Sequence, residues 1–233
     1  MKLFTLGCSL APQYSWPSSF NSLLQPDEWF HTGMGAGSNG AQISQFELNF
    51  IKHNVGHQDI IVWQITGEGR YSGVANKYLI DKHSHTWNAK FKKFGDEDKF
   101  FNGNWIDFEN YLDDDARRLW FGNHEFAQLN GRYRGLNDTD PNQELQRLLF
   151  NLVSAKRSGA QVVVFRGWTG CINKLAWQRF KQVFDKEGIG YTDECIVEWC
   201  LINKLPFMDD LHPTHDSGIK FSEQVLFDKL QKI

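Results

Sequence analysis

Apolar runs of strand length alternate with stretches of helical periodicity from the first residues onward. Leu3 to Leu6 is apolar and stops at Gly7, the pattern of a buried strand feeding a sharp turn. Residues 8–27 carry prolines and serines, so a loop is expected there, with at most a short helix near Ser18 to Leu24. Trp29 to Thr32 reads as a second strand. It runs into a glycine cluster, Gly33 to Gly40, which opens a helix carrying Ile43, Phe46, Leu48, Phe50 and Ile51. His57-Gln58-Asp59 marks a turn, and Ile60 to Ile65 is the clearest buried strand. Three strand-then-loop units so early predict a parallel sheet with helices on its faces.

The middle of the chain departs from this alternation. Residues 67–110 are rich in Gly, Asn, Lys, His and aromatics without periodicity, and read as an irregular, lid-like insertion facing substrate. Tyr111 to Leu129 is expected to be helical, and Gly131 to Asp140 a loop. Asp140 and Pro141 then suit the N-cap and first position of a helix whose apolar face is Leu145, Leu148, Leu149, Leu152 and Val153. Gln161 to Phe165 predicts a fourth strand and Asn173 to Lys186 another amphipathic helix. A fifth, shorter edge strand is expected after Gly188, with Cys195 to Ile202 as its apolar part, and a terminal helix from Asp216 to Leu230. The pattern predicts one three-layer α/β/α domain over residues 1–233, built on a mainly parallel five-stranded sheet.

Composition narrows the partners. At 233 residues the chain fits a single core, and its 19 Phe and 9 Trp exceed what that core needs, leaving aromatics to line a cleft. A net charge of −3 without a basic tract argues against nucleic acid. The four cysteines have no Cys-x-x-Cys spacing, so neither a zinc knuckle nor a disulfide framework is expected. No apolar run is long enough to span a membrane and no leader pattern opens the chain, which reads as cytoplasmic. His83 and His85, with Asp81, share alternate positions but lack a further well-spaced ligand, so no metal is expected. No phosphate-cradling glycine signature follows a strand, and no cofactor is implied. Asp113-Asp114-Asp115 reads as a helix start favoured by the helix dipole.

Candidate chemistry lies at the two ends. Ser9 sits just past the carboxyl end of the first strand, where open α/β sheets place their active sites. Asp209 and His212 share one short loop, close enough for the carboxylate to reach the imidazole, and Pro213 restricts the backbone beyond. A serine hydroxyl needs a histidine to accept its proton and a carboxylate to orient that histidine. Asp210 is the alternative acid, and Cys8 is a possible thiol nucleophile beside Ser9.

Leu6-Gly7-Cys8-Ser9-Leu10 and Asp209-Asp210-Leu211-His212-Pro213, with Gly218 after it, resemble the first and last blocks of the SGNH (GDSL-type) hydrolases. Cys8 stands where that family usually has aspartate. The resemblance implies a flavodoxin-like α/β/α fold, a serine esterase or lipase activity, and a triad of Ser9, His212 and Asp209. It also implies an oxyanion hole formed by the backbone N–H groups of Ser9 and Gly37, with Gly35 the second choice for the latter. The third block departs from the family: Thr66-Gly67-Glu68-Gly69-Arg70 lacks the usual asparagine. Asn39 could take its place as an oxyanion donor, and Arg70 or Thr66 could contact substrate or oxyanion. The substrate implied is a small-molecule or carbohydrate ester. An O-acyltransferase, or a carbohydrate-binding protein of weakened catalysis, is the alternative, and the oligomeric state stays open.

Overall fold

The structure, a computed structural model, describes residues 1–7, 10–11, 14–33, 39–66, 72–76, 116–120, 141–168, 170–208 and 212–232. Five parallel strands form its main sheet: β1 (Lys2–Gly7), β2 (Glu28–Gly33), β3 (Ile60–Ile65), β6 (Gln161–Arg166) and the short β7 (Gly190–Tyr191). Their order is β2-β1-β3-β6-β7. Register runs from Lys2 opposite Glu28 to Gly7 opposite Gly33, and from Ile60 opposite Gln161 to Ile65 opposite Arg166. The chain leaves β1 toward one edge, to β2, then returns to build toward the other, from β3 onward. That reversal opens a crevice outside the carboxyl ends of β1 and β3, the place where doubly wound sheets bind ligands.

Alternation along the strands divides the core in two. Phe4, Leu6, Ile61, Trp63, Ile65, Val162 and Val164 pack against α2 (Asn39–His53), α3 (Pro141–Arg157) and α4 (Lys174–Glu187). Leu3, Ile60, Val62, Val163 and Phe165 pack against α1 (Trp16–Leu24), α5 (Ile196–Ile202) and the C-terminal helices. The sheet is therefore covered on both faces, which is why β3 reads as an unbroken apolar run and is buried throughout. Pro141 begins α3, as its fixed φ favours. Asn173 caps α4 by accepting from the Leu175 N–H at 2.8 Å.

Three expectations need correction. Ala116–Trp120 is not helical: it forms β5, paired antiparallel with β4 (Ser72–Asn76) in a separate two-stranded sheet. Gly122-Asn123, a turn-forming pair, already interrupts the helical reading of Tyr111 to Leu129, and pairing with β4 decides the shorter run. The same pairing puts regular structure at Ser72–Asn76, inside the stretch expected to be irregular. The apolar run Ile196–Ile202 is helix α5 and not the edge strand, which is the two residues Gly190 and Tyr191. Its start is a capping box: Cys195 Sγ accepts from the Glu198 N–H at 3.2 Å, and the Glu198 carboxylate accepts from the Cys195 N–H at 3.0 Å. A cysteine in the cap position hides that signal.

The terminal helix is α6 (His215–Phe221), continued by a π turn over Ser222–Leu226 into α7 (Phe227–Gln231). Among the described residues no helix is long and apolar enough to cross a membrane. The remainder of the 67–110 stretch, Asp81, His83, His85, Asp113 to Asp115, Gly131 to Asp140 and the Asp140 cap lie outside the described residues.

Candidate active site

The chain leaves β1 by doubling back on its own end. A Cβ on Gly7 would meet Ala11 Cβ at 2.4 Å and the Gln64 side-chain oxygen at 2.6 Å, so only glycine permits this close a return. The far side of the turn is fastened: Leu10 and Ala11 are buried, and the Trp16 indole donates to the Leu10 carbonyl at 3.1 Å. Cys8 and Ser9, which follow Gly7 in the sequence, lie outside the described residues.

The opposite loop is pinched at its base. Met208 N–H donates to the His212 carbonyl at 2.7 Å, Phe207 bridges Pro213, and Thr214 N–H donates to the Pro206 carbonyl at 3.1 Å. Asp209, Asp210 and Leu211, outside the described residues, span the interval between Met208 and a half-buried His212. Thr214 then caps α6, its hydroxyl accepting from the Ser217 N–H at 3.3 Å.

These two segments, some 200 residues apart in the chain, are brought together. Ser15 donates through its hydroxyl to the His215 carbonyl at 3.3 Å, and the rings of Tyr14 and His215 meet edge-on at 4.0 Å. Gly218 makes the approach possible: a Cβ there would fall 2.0 Å from Ser15 Oγ. The glycine of the last block thus lets the start of α1 rest on α6, with the Ser9 turn a few residues before one contact and His212 a few residues before the other.

Asn39 and Thr66 also meet, at the carboxyl end of β3. The Asn39 side chain accepts from the Thr66 N–H at 2.9 Å and donates to the Thr66 carbonyl at 3.0 Å. Both residues are buried, Asn39 at 1% and Thr66 at 0% exposure. The pair locks the start of α2 to the end of β3 and uses one of the two Asn39 amide hydrogens. Gly35, Gly37 and Arg70, expected as oxyanion donors and substrate contact, lie outside the described residues.

One residue of this edge escapes a reading by motif. Gln64 is fully buried, its amide wedged between the ends of β1 and β6. Its nitrogen lies 3.1 Å from where a Gly167 Cβ would be, and its oxygen 2.6 Å from where a Gly7 Cβ would be. The available signal was a lone amide inside an otherwise apolar strand, since buried polar side chains are held by specific partners.

Ionisation separates other candidates from this edge. Burial pushes the Cys171 and Cys200 thiols up to about 12, so both are protonated at neutral pH and neither is a nucleophile. Burial lowers His31 to about 4, only partly offset by a hydrogen bond to the Thr5 backbone. His31 lies beside Thr5 in β2, its Nδ1 3.0 Å from the Thr5 hydroxyl, which also accepts from the Trp29 indole at 2.9 Å. Among the described residues no group of three or more His, Cys, Asp or Glu side chains is arranged to hold a metal ion.

No protein-family model matches the chain, and no curated protein matches it. Solved structures with similar overall paths include TesA, at 12% identity over 97% of this chain and 96% of that one, with a TM-score of 0.49. A GDSL-like lipase from Bacteroides thetaiotaomicron aligns at 10% identity over 99% of this chain and 88% of that one, TM-score 0.48. The psychrotrophic esterase EstA from Pseudoalteromonas sp., inhibited by monoethylphosphonate, aligns at 10% identity over 99% and 97%, TM-score 0.45. Likenesses at this level concern the path of the chain alone.

Proposed function

We propose that this chain is an SGNH-type serine hydrolase that cleaves a carboxylic ester through an acyl-enzyme. The observation that carries the reading is the contact of Ser15 with Gly218 and His215 at the sheet edge. It joins the segment after the Ser9 turn to the helix after His212, so the two motif blocks share one end of a parallel sheet.

In this reading Ser9 attacks the acyl carbonyl while His212 takes its proton. His212 then returns a proton to the departing alkoxide, and water repeats the sequence on the acyl-enzyme. Asp209 orients the imidazole and stabilises its cationic form. The backbone N–H groups of Ser9 and Gly37, or Gly35, receive the oxyanion, and Arg70 binds an acidic part of the substrate or the oxyanion itself. Asn39 and Thr66 act chiefly by fixing the two loops that flank the crevice, since their mutual hydrogen bonds and burial hold them there. The substrate class is a small-molecule or carbohydrate ester.

A second reading, a carbohydrate-binding protein of weakened catalysis, is favoured by the same Asn39 geometry. The block that usually supplies an asparagine reads Thr66-Gly67-Glu68, and the nearby Asn39 amide is engaged with Thr66. Loss of one oxyanion donor costs roughly 10²–10³ in rate. Hydrolysis of short p-nitrophenyl esters by wild type, abolished by Ser9→Ala, is the expected result; a rate unchanged by Ser9→Ala would remove the serine mechanism.

A further inference from the structure

Arg166 closes the carboxyl end of β6, and its guanidinium stands 5.4 Å from the ring centre of Trp177 on α4. With Lys174, Gln178, Lys181 and Asp193 these residues wall a cavity of about 400 Å³. Lys181 is paired with Asp193 at 3.0 Å, and Arg166 has Glu198 at 3.5 Å and donates to the Asp193 carbonyl. Lys174, exposed in the first turn of α4, leaves the wall with an excess of positive charge.

Two donors at this wall lack acceptors. Trp177 is 5% exposed, and its indole N–H has no hydrogen-bond partner among the described residues; the same holds for the buried Arg166 Nε. A buried N–H without an acceptor is costly, so two such groups beside one cavity mark a place suited to an acceptor. Arginine and indole N–H groups together favour a planar, charged acceptor with two oxygens, because charge-assisted hydrogen bonds are the strong ones.

We propose that this cavity binds the carboxylate of a small ligand. The Arg166 guanidinium and the Trp177 indole N–H donate to its oxygens, and Lys174 adds attraction from the rim. Both orphan nitrogens are covered in the empty cavity, so binding includes a side-chain rotation of Arg166 that opens them to it. The site lies one strand beyond β3 and is independent of Ser9, so it stands or falls separately from the hydrolase reading.

The test is a titration of the full chain with sodium acetate, followed by the indole N–H resonance of Trp177, assigned through Trp177→Phe. Sodium chloride at matched ionic strength is the control. The expected result is a saturable movement of that resonance in acetate, with half-saturation raised about tenfold in Arg166→Gln and about two- to threefold in Lys174→Gln. Arg166 also holds Asp193 and Glu198, so if Arg166→Gln does not fold, the exposed Lys174→Gln decides. A Trp177 resonance that moves no further in acetate than in chloride would overturn the proposal. So would a half-saturation unchanged by Lys174→Gln.

Discussion

The hydroxyl of Ser15 stands 2.0 Å from the point where a side chain on Gly218 would begin. Gly218→Ala therefore drives a methyl group into Ser15 and costs roughly 1–3 kcal/mol as the helices part. Ser15→Ala removes the obstructing oxygen, leaving Ser15 Cβ at 3.4 Å and Trp16 N at 3.5 Å from the new methyl, ordinary contacts. The double variant is expected to recover most of the loss, a coupling that urea unfolding of the four-member cycle reads directly. Strict additivity would mean that this contact does not hold α1 to α6.

The turn bearing Ser9 has a second fixed point. Gly7→Ala sets a methyl against both Ala11 and Gln64, which are themselves buried and cannot retreat. The turn must shift, and a displacement of about 1 Å at a reacting group costs roughly 10²-fold in rate. Fluorophosphonate labelling of the folded variant is expected to slow by about that factor. Labelling at the wild-type rate would show that the Ser9 turn tolerates a displaced base.

Asn39→Ala leaves the Thr66 N–H and carbonyl without their present partner in a buried site. A loss of about 2–4 kcal/mol is expected in urea unfolding. Asn39→Asp keeps the acceptor but not the donor and is expected to fall between. A loss below ~0.5 kcal/mol in Asn39→Ala would show that water replaces both bonds.

Acid should weaken the fold through His31. The unfolded chain takes up a proton on this residue near 6.5, whereas the folded chain resists until about 4. Stability from this source is complete above 6.5 and is lost as pH falls toward 4, because the unfolded state then binds the extra proton. That interval corresponds to roughly 3 kcal/mol. His31→Asn cannot titrate, so the stability advantage of wild type over the variant should shrink by about that amount across the interval. A difference constant with pH would place the acid sensitivity elsewhere.

Much of this architecture was legible because strands buried on both faces have an unmistakable pattern. Ile60 to Ile65 and Gln161 to Phe165 read correctly for that reason, and Gly7 announced a turn. Ile196 to Ile202 misled because an apolar run of strand length looks the same in either conformation until its cap is recognised, and here the cap is a thiol. Ala116 to Trp120 misled because its structure comes from a partner some forty residues away, beyond any local window. At the candidate site Ser9, His212 and Asp209 stand out in the sequence by type and spacing, and their roles are the proposal made above. The packing at the described ends of those segments does not stand out: Gln64 looks like a minor interruption in a strand, and Ser15 like one more loop serine. Their importance arises from neighbours that only folding supplies.

Covalent capture tests the central claim most directly. The chain is incubated with a fluorophosphonate and its intact mass and modified peptide are determined, for wild type, Ser9→Ala and His212→Ala. One adduct per chain on the peptide containing Ser9, absent in Ser9→Ala and strongly slowed in His212→Ala, is the predicted result. An adduct that persists in Ser9→Ala, or a wild-type chain that stays unmodified while folded, contradicts it.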